Sequence, residues 1–363
     1  MQRFAGAMLD GLRKAGVPAR LVVPPVICGR AGSSSLGGIG KWLAYLDKFV
    51  LFPLILRRRI HDLTGRCAPS RVVVHICDHS NAMYAGAAGG VPVVTTCHDL
   101  LAVRGALGED TDCPPSPAGH WLQRWILGSL AKASIIACVS SATQSDADRL
   151  LPPGSRTRHL PIGLNHPYHP LPPAEARARL AILEGLRFPF VLHVGSNLRR
   201  KNREGVLRIF ARTAPAWDGQ LVFAGQPLSP ELRSMARSLG ITGRVREIPK
   251  PDNDLLEALY NAATALLFPS RFEGFGWPII EAQACGCPVI CSRSGPLPEV
   301  AGDGALLREV EDEEGFAADL LRLASPDQRE HWSRRALANA GRFSTERMVL
   351  EYLRLYSEAV AAR

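Results

Sequence analysis

The chain has 363 residues, 46% of them hydrophobic and 21% charged, which suits two domains of ordinary size and excludes a disordered protein. Its net charge is +9 and its pI near 9.3, a balance that fits anionic partners such as nucleotide diphosphates or acidic lipid surfaces. Nothing in it matches a nucleic-acid-binding module, so nucleic acid is not an expected partner.

Met1 to Ala15 opens the chain with Phe4, Met8, Leu9 and Leu12 at helical spacing, and Gly16 follows as a stop signal. The stretch is polar and amphipathic, unlike a signal peptide. Leu21 to Val23 is expected as a strand. An α/β domain normally opens with a strand and a glycine-rich turn before such a helix, and both are missing. A coding sequence that starts upstream of Met1 is the favoured explanation; loss of a central strand is the other. Residues 29–40 form a Gly/Ser-rich loop. Lys41 to Ile60 is very apolar with basic ends, but Asp47, Lys48 and Pro53 interrupt it, so it falls short of the roughly 18–20 apolar residues of a membrane span. Two readings fit this segment: an interfacial helix with its arginines on anionic lipid, or a core helix with a solvated basic cap.

Val72 to Ile76, Val91 to Cys97, Ser134 to Val139 and Arg158 to Ile162 are expected strands of a first parallel sheet. In open parallel sheets ligands bind beyond the carboxyl ends of strands, so His79, His98, Asp99 and Ser140 to Thr143 should border a cleft. His98 directly follows its strand; His79 and Asp99 fit equally well as loop braces. Gly163 to Pro173 is proline-dense and reads as a stiff, extended interdomain connection.

The second half starts with a strand at Phe190 to Val194, followed by Gly195-Ser196-Asn197-Leu198-Arg199-Arg200-Lys201-Asn202. Fixed cations at that place are what a diphosphate leaving group requires, although a short basic cluster also suits a solvated surface. Strands follow at Leu221 to Ala224 and Val245 to Ile248, then a helix at Leu255 to Ala262. Thr264 to Phe268, ending at Pro269, reads as a buried strand, Ile279 to Cys285 as a helix with Pro278 in its first turn, and Pro288 to Cys291 as the next strand. Gly274 and Gly276 let an anion approach the free amides at that helix start. Glu273 and Glu281 bracket the seat. A carboxylate beside a diphosphate is repelled, so both should face neutral hydroxyls; alternatively Glu281 complements the helix dipole and Glu273 is a solvated loop charge. Glu346 to Ala359 is a last amphipathic helix. The nine cysteines are scattered through apolar runs and read as reduced, packed thiols, without metal-ligand spacing.

The stretch Pro-Ser-Arg-Phe-Glu-Gly-Phe-Gly-Trp-Pro-Ile-Ile-Glu-Ala-Gln-Ala-Cys-Gly-Cys-Pro-Val-Ile, with seven residues between Glu273 and Glu281, resembles the donor-site signature of family-4 retaining glycosyltransferases (glycosyl transferases group 1 type) of the GT-B fold. The resemblance covers almost the whole chain, the second half more clearly. It implies an α/β architecture of two Rossmann-like domains with parallel sheets facing a central cleft. The boundaries expected from it are 1–165 for the acceptor-side domain, 166–187 for the linker, 188–342 for the nucleotide-sugar domain and 343–363 for a helix crossing back.

It also implies roles. His98 points at the transferred sugar, Glu273 lies by the sugar hydroxyls, and Glu281 takes the ribose. Amides of Phe275 and Gly276 beside Gly274 touch the diphosphate or the sugar. Lys201 and an arginine, taken as Arg200 although Arg199 and Arg203 are equally close by, hold the leaving diphosphate in place of a metal. The implied activity is hexose transfer, mannose-type favoured, from a nucleoside-diphosphate sugar to a hydroxyl of a glycan or lipid-linked acceptor in cell-surface polysaccharide synthesis. No metal or other cofactor is expected. The expected location is cytoplasmic, with an anionic membrane surface as an optional peripheral partner. A sugar-nucleotide epimerase and a non-catalytic GT-B scaffold are the alternatives.

Overall fold

Short aliphatic runs closed by glycine or a polar turn form ten strands among the residues that the computed structural model describes, 2–25, 45–68 and 71–362. Strands β1 (Val74–Ile76), β2 (Val93–Cys97), β3 (Ile135–Cys138) and β4 (Thr157–His159) pair in parallel in that order. Strands β5 (Phe190–Gly195), β6 (Gln220–Gly225), β7 (Val245–Pro249), β8 (Ala265–Phe268), β9 (Val289–Ser292) and β10 (Ala305–Arg308) form a second parallel sheet in the order β10-β9-β8-β5-β6-β7. Every residue of β8 and β9 is buried, as the unbroken apolar runs predict for strands with both faces covered.

From β5 the chain winds outward to β7, then returns to β8 on the other side. The order therefore reverses between β5 and β8, registered at Val191 opposite Ala265, and their carboxyl ends open a crevice there. The α/β class and the paired parallel sheets agree with the sequence reading.

Three segments differ from expectation. Leu21 to Val23 forms no strand. Val22 packs against the cluster of Phe52, Val91 and Val93, but among the described residues no neighbouring strand takes up the segment's amides, and Leu21 and Val23 stay exposed. The proline-dense stretch runs without helix or strand through Pro172, as expected, but within the 166–187 linker Pro173 starts the helix Pro173–Leu180; Leu171, Ala176 and Leu180 are buried, with Arg179 paired to Glu257 at 3.0 Å on the helix Asn253–Ala262. The signature helix spans Trp277–Ala284, which moves Glu281 from its first turn to its second.

The 41–60 segment is described only from Tyr45; its first residues and the Gly/Ser-rich loop lie outside the described residues. A π-turn, Asp47–Leu51, runs into the helix Phe52–Thr64, where Pro53 sits in the first turn. Phe52, Leu56 and Ile60 share one face and are buried, Phe52 lying edge-on to Tyr84 at 4.8 Å. Among the described residues no helix is long and apolar enough to cross a membrane.

The chain passes between the two sheets twice, and the two passes lie side by side. Leu164 donates its amide to the Phe343 carbonyl (3.2 Å), and Thr345 Oγ1 donates to the Leu164 carbonyl (2.7 Å). The final helix, Thr345–Ala361, then lies on the first sheet. Tyr352 shares a hydrogen bond with buried Thr96 on β2 (2.7 Å), and Glu358 pairs with Arg156 and Arg158 at 2.6 and 2.5 Å.

Candidate active site

The loops after β5 and β8 meet in the crevice. Arg199–Lys201 makes a single 3-10 turn, and Asn202 follows in the left-handed region at φ 51°. Its side chain caps the helix Arg203–Thr213 at the Gly205 amide (3.3 Å) and donates to the Pro269 carbonyl after β8 (3.0 Å). The Arg271 amide completes the lacing on the Arg200 carbonyl (2.7 Å).

So held, Lys201 Nζ lies 2.5 Å and Arg200 Nη1 2.8 Å from the two oxygens of Glu273. Arg200 also donates to the Phe272 carbonyl (3.1 Å). The three groups are largely withdrawn from water, Lys201 5.0 Å from the centre of the Phe268 ring. Burial lowers the Lys201 pKa, and the Glu273 carboxylate only partly restores it. Two fixed cations against one carboxylate leave a net positive seat where field lines are poorly screened.

The neighbouring arginines do other work. Arg199 is mostly exposed and reaches Asp112 of the first half at 3.2 Å. Arg203 is buried, stacks on Phe223, and donates to Asn197 Oδ1 (2.6 Å) and to the Gln226 and Gly195 carbonyls (2.8 and 2.6 Å). Only Arg200 and Lys201 face the crevice carboxylate.

Beyond Glu273 the chain turns through Gly274, Phe275 and Gly276 into the helix Trp277–Ala284. Gly276 has φ 108°, which a side chain would resist. Phe275 anchors the turn edge-on to Phe343 at 5.8 Å. Within the described residues the Phe275 and Gly276 amides donate to no other group, so donors remain at the positive end of the helix. Glu281 points inward and is 3% exposed, accepting from Tyr260 OH (2.9 Å) and from Asn165 Nδ2 (3.2 Å) near the first chain crossing. Burial raises its pKa against those two hydrogen bonds.

His98 faces this turn from the end of β2. Its Nε2–H donates to the Cys77 carbonyl (3.0 Å), which leaves the lone pair on Nδ1. Burial pulls its pKa down to about 4 against that hydrogen bond, so the ring is neutral at pH 7. The Phe4 ring meets it edge-on at 5.1 Å, and Trp277 lies 6.1 Å away across the cleft. Asp99 and His79 act as braces: Asp99 Oδ1 accepts the Leu101 amide (3.1 Å), and His79 rests beside Asp78 at 3.5 Å.

The halves touch over the seat. A Cβ on Gly274 would collide with the His98 carbonyl oxygen. The Gly274 carbonyl accepts from Ser140 Oγ (3.0 Å) and Thr143 Oγ1 (3.3 Å). Glu299, in the helix Leu297–Ala301, accepts from the Ser141 amide (2.9 Å) and hydroxyl and pairs with His159 at 2.7 Å.

Asp112 and His193 were not singled out in the sequence, and Phe4 only as one apolar position of the first helix. His193 is fully buried on β5 with Nδ1 on the Leu267 carbonyl (3.0 Å) and no partner on Nε2. Its only signal is a polar residue inside an apolar strand. Cys285, Cys287 and Cys291 are free and buried, and among the described residues no cluster of His, Cys, Asp or Glu is placed to hold a metal ion. An open hollow lined by His166, His169, Arg179 and Glu257 shares no residue with this site.

Comparisons with known proteins bear on the family and the fold. The family model for glycosyl transferases group 1 matches residues 178–339, and that for glycosyltransferase family 4 matches residues 1–168. O-antigen chain mannosyltransferase B of Escherichia coli is 28% identical over 337 residues, spanning 87% of this chain and 83% of that protein. The D-inositol 3-phosphate glycosyltransferase of Saccharomonospora viridis is 30% identical over 315 residues, 78% of this chain and 70% of that one. Among solved structures, WaaG, a glycosyltransferase involved in lipopolysaccharide biosynthesis, superposes with a TM-score of 0.69 at 16% identity over 98% of this chain and 95% of its own.

Proposed function

Since the chain belongs to the family-4 glycosyltransferases of the GT-B fold, we propose that this transferase moves a hexose, with retention of the anomeric configuration, from a nucleoside-diphosphate sugar to an acceptor hydroxyl. The observation that carries the reading is the Lys201–Glu273–Arg200 cluster beside the free amides of Phe275 and Gly276. Diphosphate oxygens compete with the Glu273 carboxylate for both cations, and the displaced carboxylate then turns to the sugar hydroxyls. His98, a neutral ring with its Nδ1 lone pair free, accepts a hydrogen bond from a hydroxyl of the same sugar, and Glu281 takes the ribose in exchange for one of its protein partners.

In the step itself the bond from the anomeric carbon to the diphosphate oxygen breaks. The bond from that carbon to the acceptor oxygen forms on the same face. The acceptor proton passes to the departing phosphate oxygen, whose growing charge Lys201, Arg200 and the helix amides stabilise. Positive charge of this kind fills the place of a resident metal, so none is required.

Likeness to an O-antigen mannosyltransferase and to a lipopolysaccharide enzyme supports a mannose-type sugar and a cell-surface glycan or lipid-linked acceptor. Such acceptors are held at a membrane, which makes the chain a peripheral visitor to one. Melting the protein in the presence of GDP-, UDP- and dTDP-sugars tests the donor directly, since a ligand at a hundred times its Kd adds about 2.7 kcal/mol. The expected outcome is a shift with one nucleotide sugar, followed by an α-linked product on a supplied acceptor. An isomerised nucleotide sugar, or a panel without any shift, overturns the reading.

A further inference from the structure

We propose that one face of the first half, built from residues 45–64 and the helix Pro117–Leu130, docks the protein on an anionic lipid surface. This deepens the peripheral reading above and rests on it, by naming the face and its residues. Two segments far apart in sequence converge there through their rings. Tyr45 meets Phe49 at 5.7 Å, Phe49 meets Trp125 at 5.4 Å, and Trp125 meets Trp121 at 5.5 Å.

Large apolar side chains are left in water around that chain of rings. Trp121 is 68% exposed, Leu54 57%, Val50 50% and Tyr45 42%. Isolated exposed apolar residues need no explanation, but a contiguous aromatic and aliphatic patch does. Leu46, Val50 and Leu54 follow one another at four-residue spacing on the solvent side, opposite the buried Phe52, Leu56 and Ile60.

Charge selects the occupant. The same helical run ends in Arg57, Arg58 and Arg59, all exposed and, among the described residues, without a carboxylate partner, and Arg124 is exposed on the other helix. Several arginines elsewhere are tied down, Arg104 and Arg149 by Glu109, Arg208 by Glu313 and Arg308 by Asp319, and what sets this run apart is three consecutive exposed guanidinium groups beside exposed rings and aliphatics. Across both segments the acids are Asp47, which is buried, and Asp62. Aromatic rings beside unpaired arginines match a headgroup layer, where amphipathic rings settle at the interface and guanidinium groups meet phosphate. Every residue of the patch belongs to the first half, and the Lys201 seat belongs to the second.

Flotation with vesicles tests the idea without donor or acceptor, so its outcome is independent of transfer. Phosphatidylcholine vesicles with added phosphatidylglycerol should carry the protein; phosphatidylcholine alone should not, and raised salt should release it. Replacing the arginines (Arg57→Gln, Arg58→Gln, Arg59→Gln together) should weaken binding by on the order of a hundredfold, from about a kcal/mol-scale contribution of each charge. Trp121→Ser with Leu54→Ser should also weaken it, while both variants melt like the parent. Brominated lipid should quench the parent's tryptophan fluorescence, a readout that needs no variant. Failure to float on phosphatidylglycerol, variants that float like the parent, or a dimer broken by Trp121→Ser overturns the proposal. A protein that transfers sugar yet ignores these vesicles removes the docking face and leaves the transferase reading intact.

Discussion

The two sheets are built to different standards. In the second, β8 and β9 are buried along their whole length, and the cations at its crest are locked by Asn202 and the Arg271 amide. In the first, β2 and β3 are buried just as fully, but among the described residues the sheet has four strands to the other's six, and much of its fixing is polar, through His75, Thr96, Tyr352 and Tyr356 at 2.7–2.8 Å. The difference teaches where geometry must be fixed in advance. Charges meant to stabilise a leaving group, as proposed for Lys201 and Arg200, cannot reorganise cheaply during a reaction, and these two stand at the end of the wider sheet.

The sharpest way to break this contrast is Lys201→Ala. Turnover should fall on the order of a hundred- to a thousandfold, the loss typical of one preorganised donor, with melting little changed. A near-normal rate would remove the seat from the reaction. Glu281→Ala comes next. It strips the acceptor from Tyr260 OH and Asn165, at a cost of about 1–3 kcal/mol for stranded buried groups, and should raise the donor KM as well. An unchanged melt and KM would mark Glu281 as dispensable to both.

Glu273→Gln sharpens the contrast, because it empties the cation pair. Affinity for a free nucleoside diphosphate should rise about tenfold, some 1.4 kcal/mol, while sugar transfer slows; titration calorimetry separates the two, and weaker diphosphate binding would refute the exchange. The smallest effect belongs to the contact between halves. Burial alone would raise the Glu299 carboxyl, but hydrogen bonds from His159 and Ser141 more than offset it and hold it below the ordinary range. A lowered folded pKa means stability that is present above the unfolded value near 4.3 and lost as pH falls through the folded one. Glu299→Gln should therefore cost roughly 1 kcal/mol at pH 7, and the gap to the parent should close in acid. A gap that widens below pH 4 contradicts the assignment.

Much of the second half was legible because its strands are unbroken apolar runs and its loops carry glycine and proline at fixed offsets. The signature around Glu273 and Glu281 is local, so one stretch of chain announces it. Arg200 was harder to separate from Arg199 and Arg203: three neighbours on one turn diverge, and only Glu273, Asp112 and Asn197 decide where each goes. The Thr96–Tyr352 hydrogen bond spans 256 positions and leaves no local trace. Leu21 to Val23 misled because β-branched composition marks a surface fit for pairing, while pairing itself needs a neighbour. Pro173 misled in the opposite way, since proline-rich stretches look extended until one of the prolines starts a helix.

Gly163 sits where the two passes of chain between the sheets touch, and a Cβ there would lie 2.8 Å from the Thr345 Cα. Two strands of backbone joined edge to edge behave like a strap and not like a string: they fold readily about one axis and resist torsion about the other. Any relative movement of the halves that keeps the two hydrogen bonds of Leu164 is confined to a single arc, with the Gly274 carbonyl under Ser140 at one end of it. A methyl group at Gly163 would pry the strap apart and let the two jaws swivel.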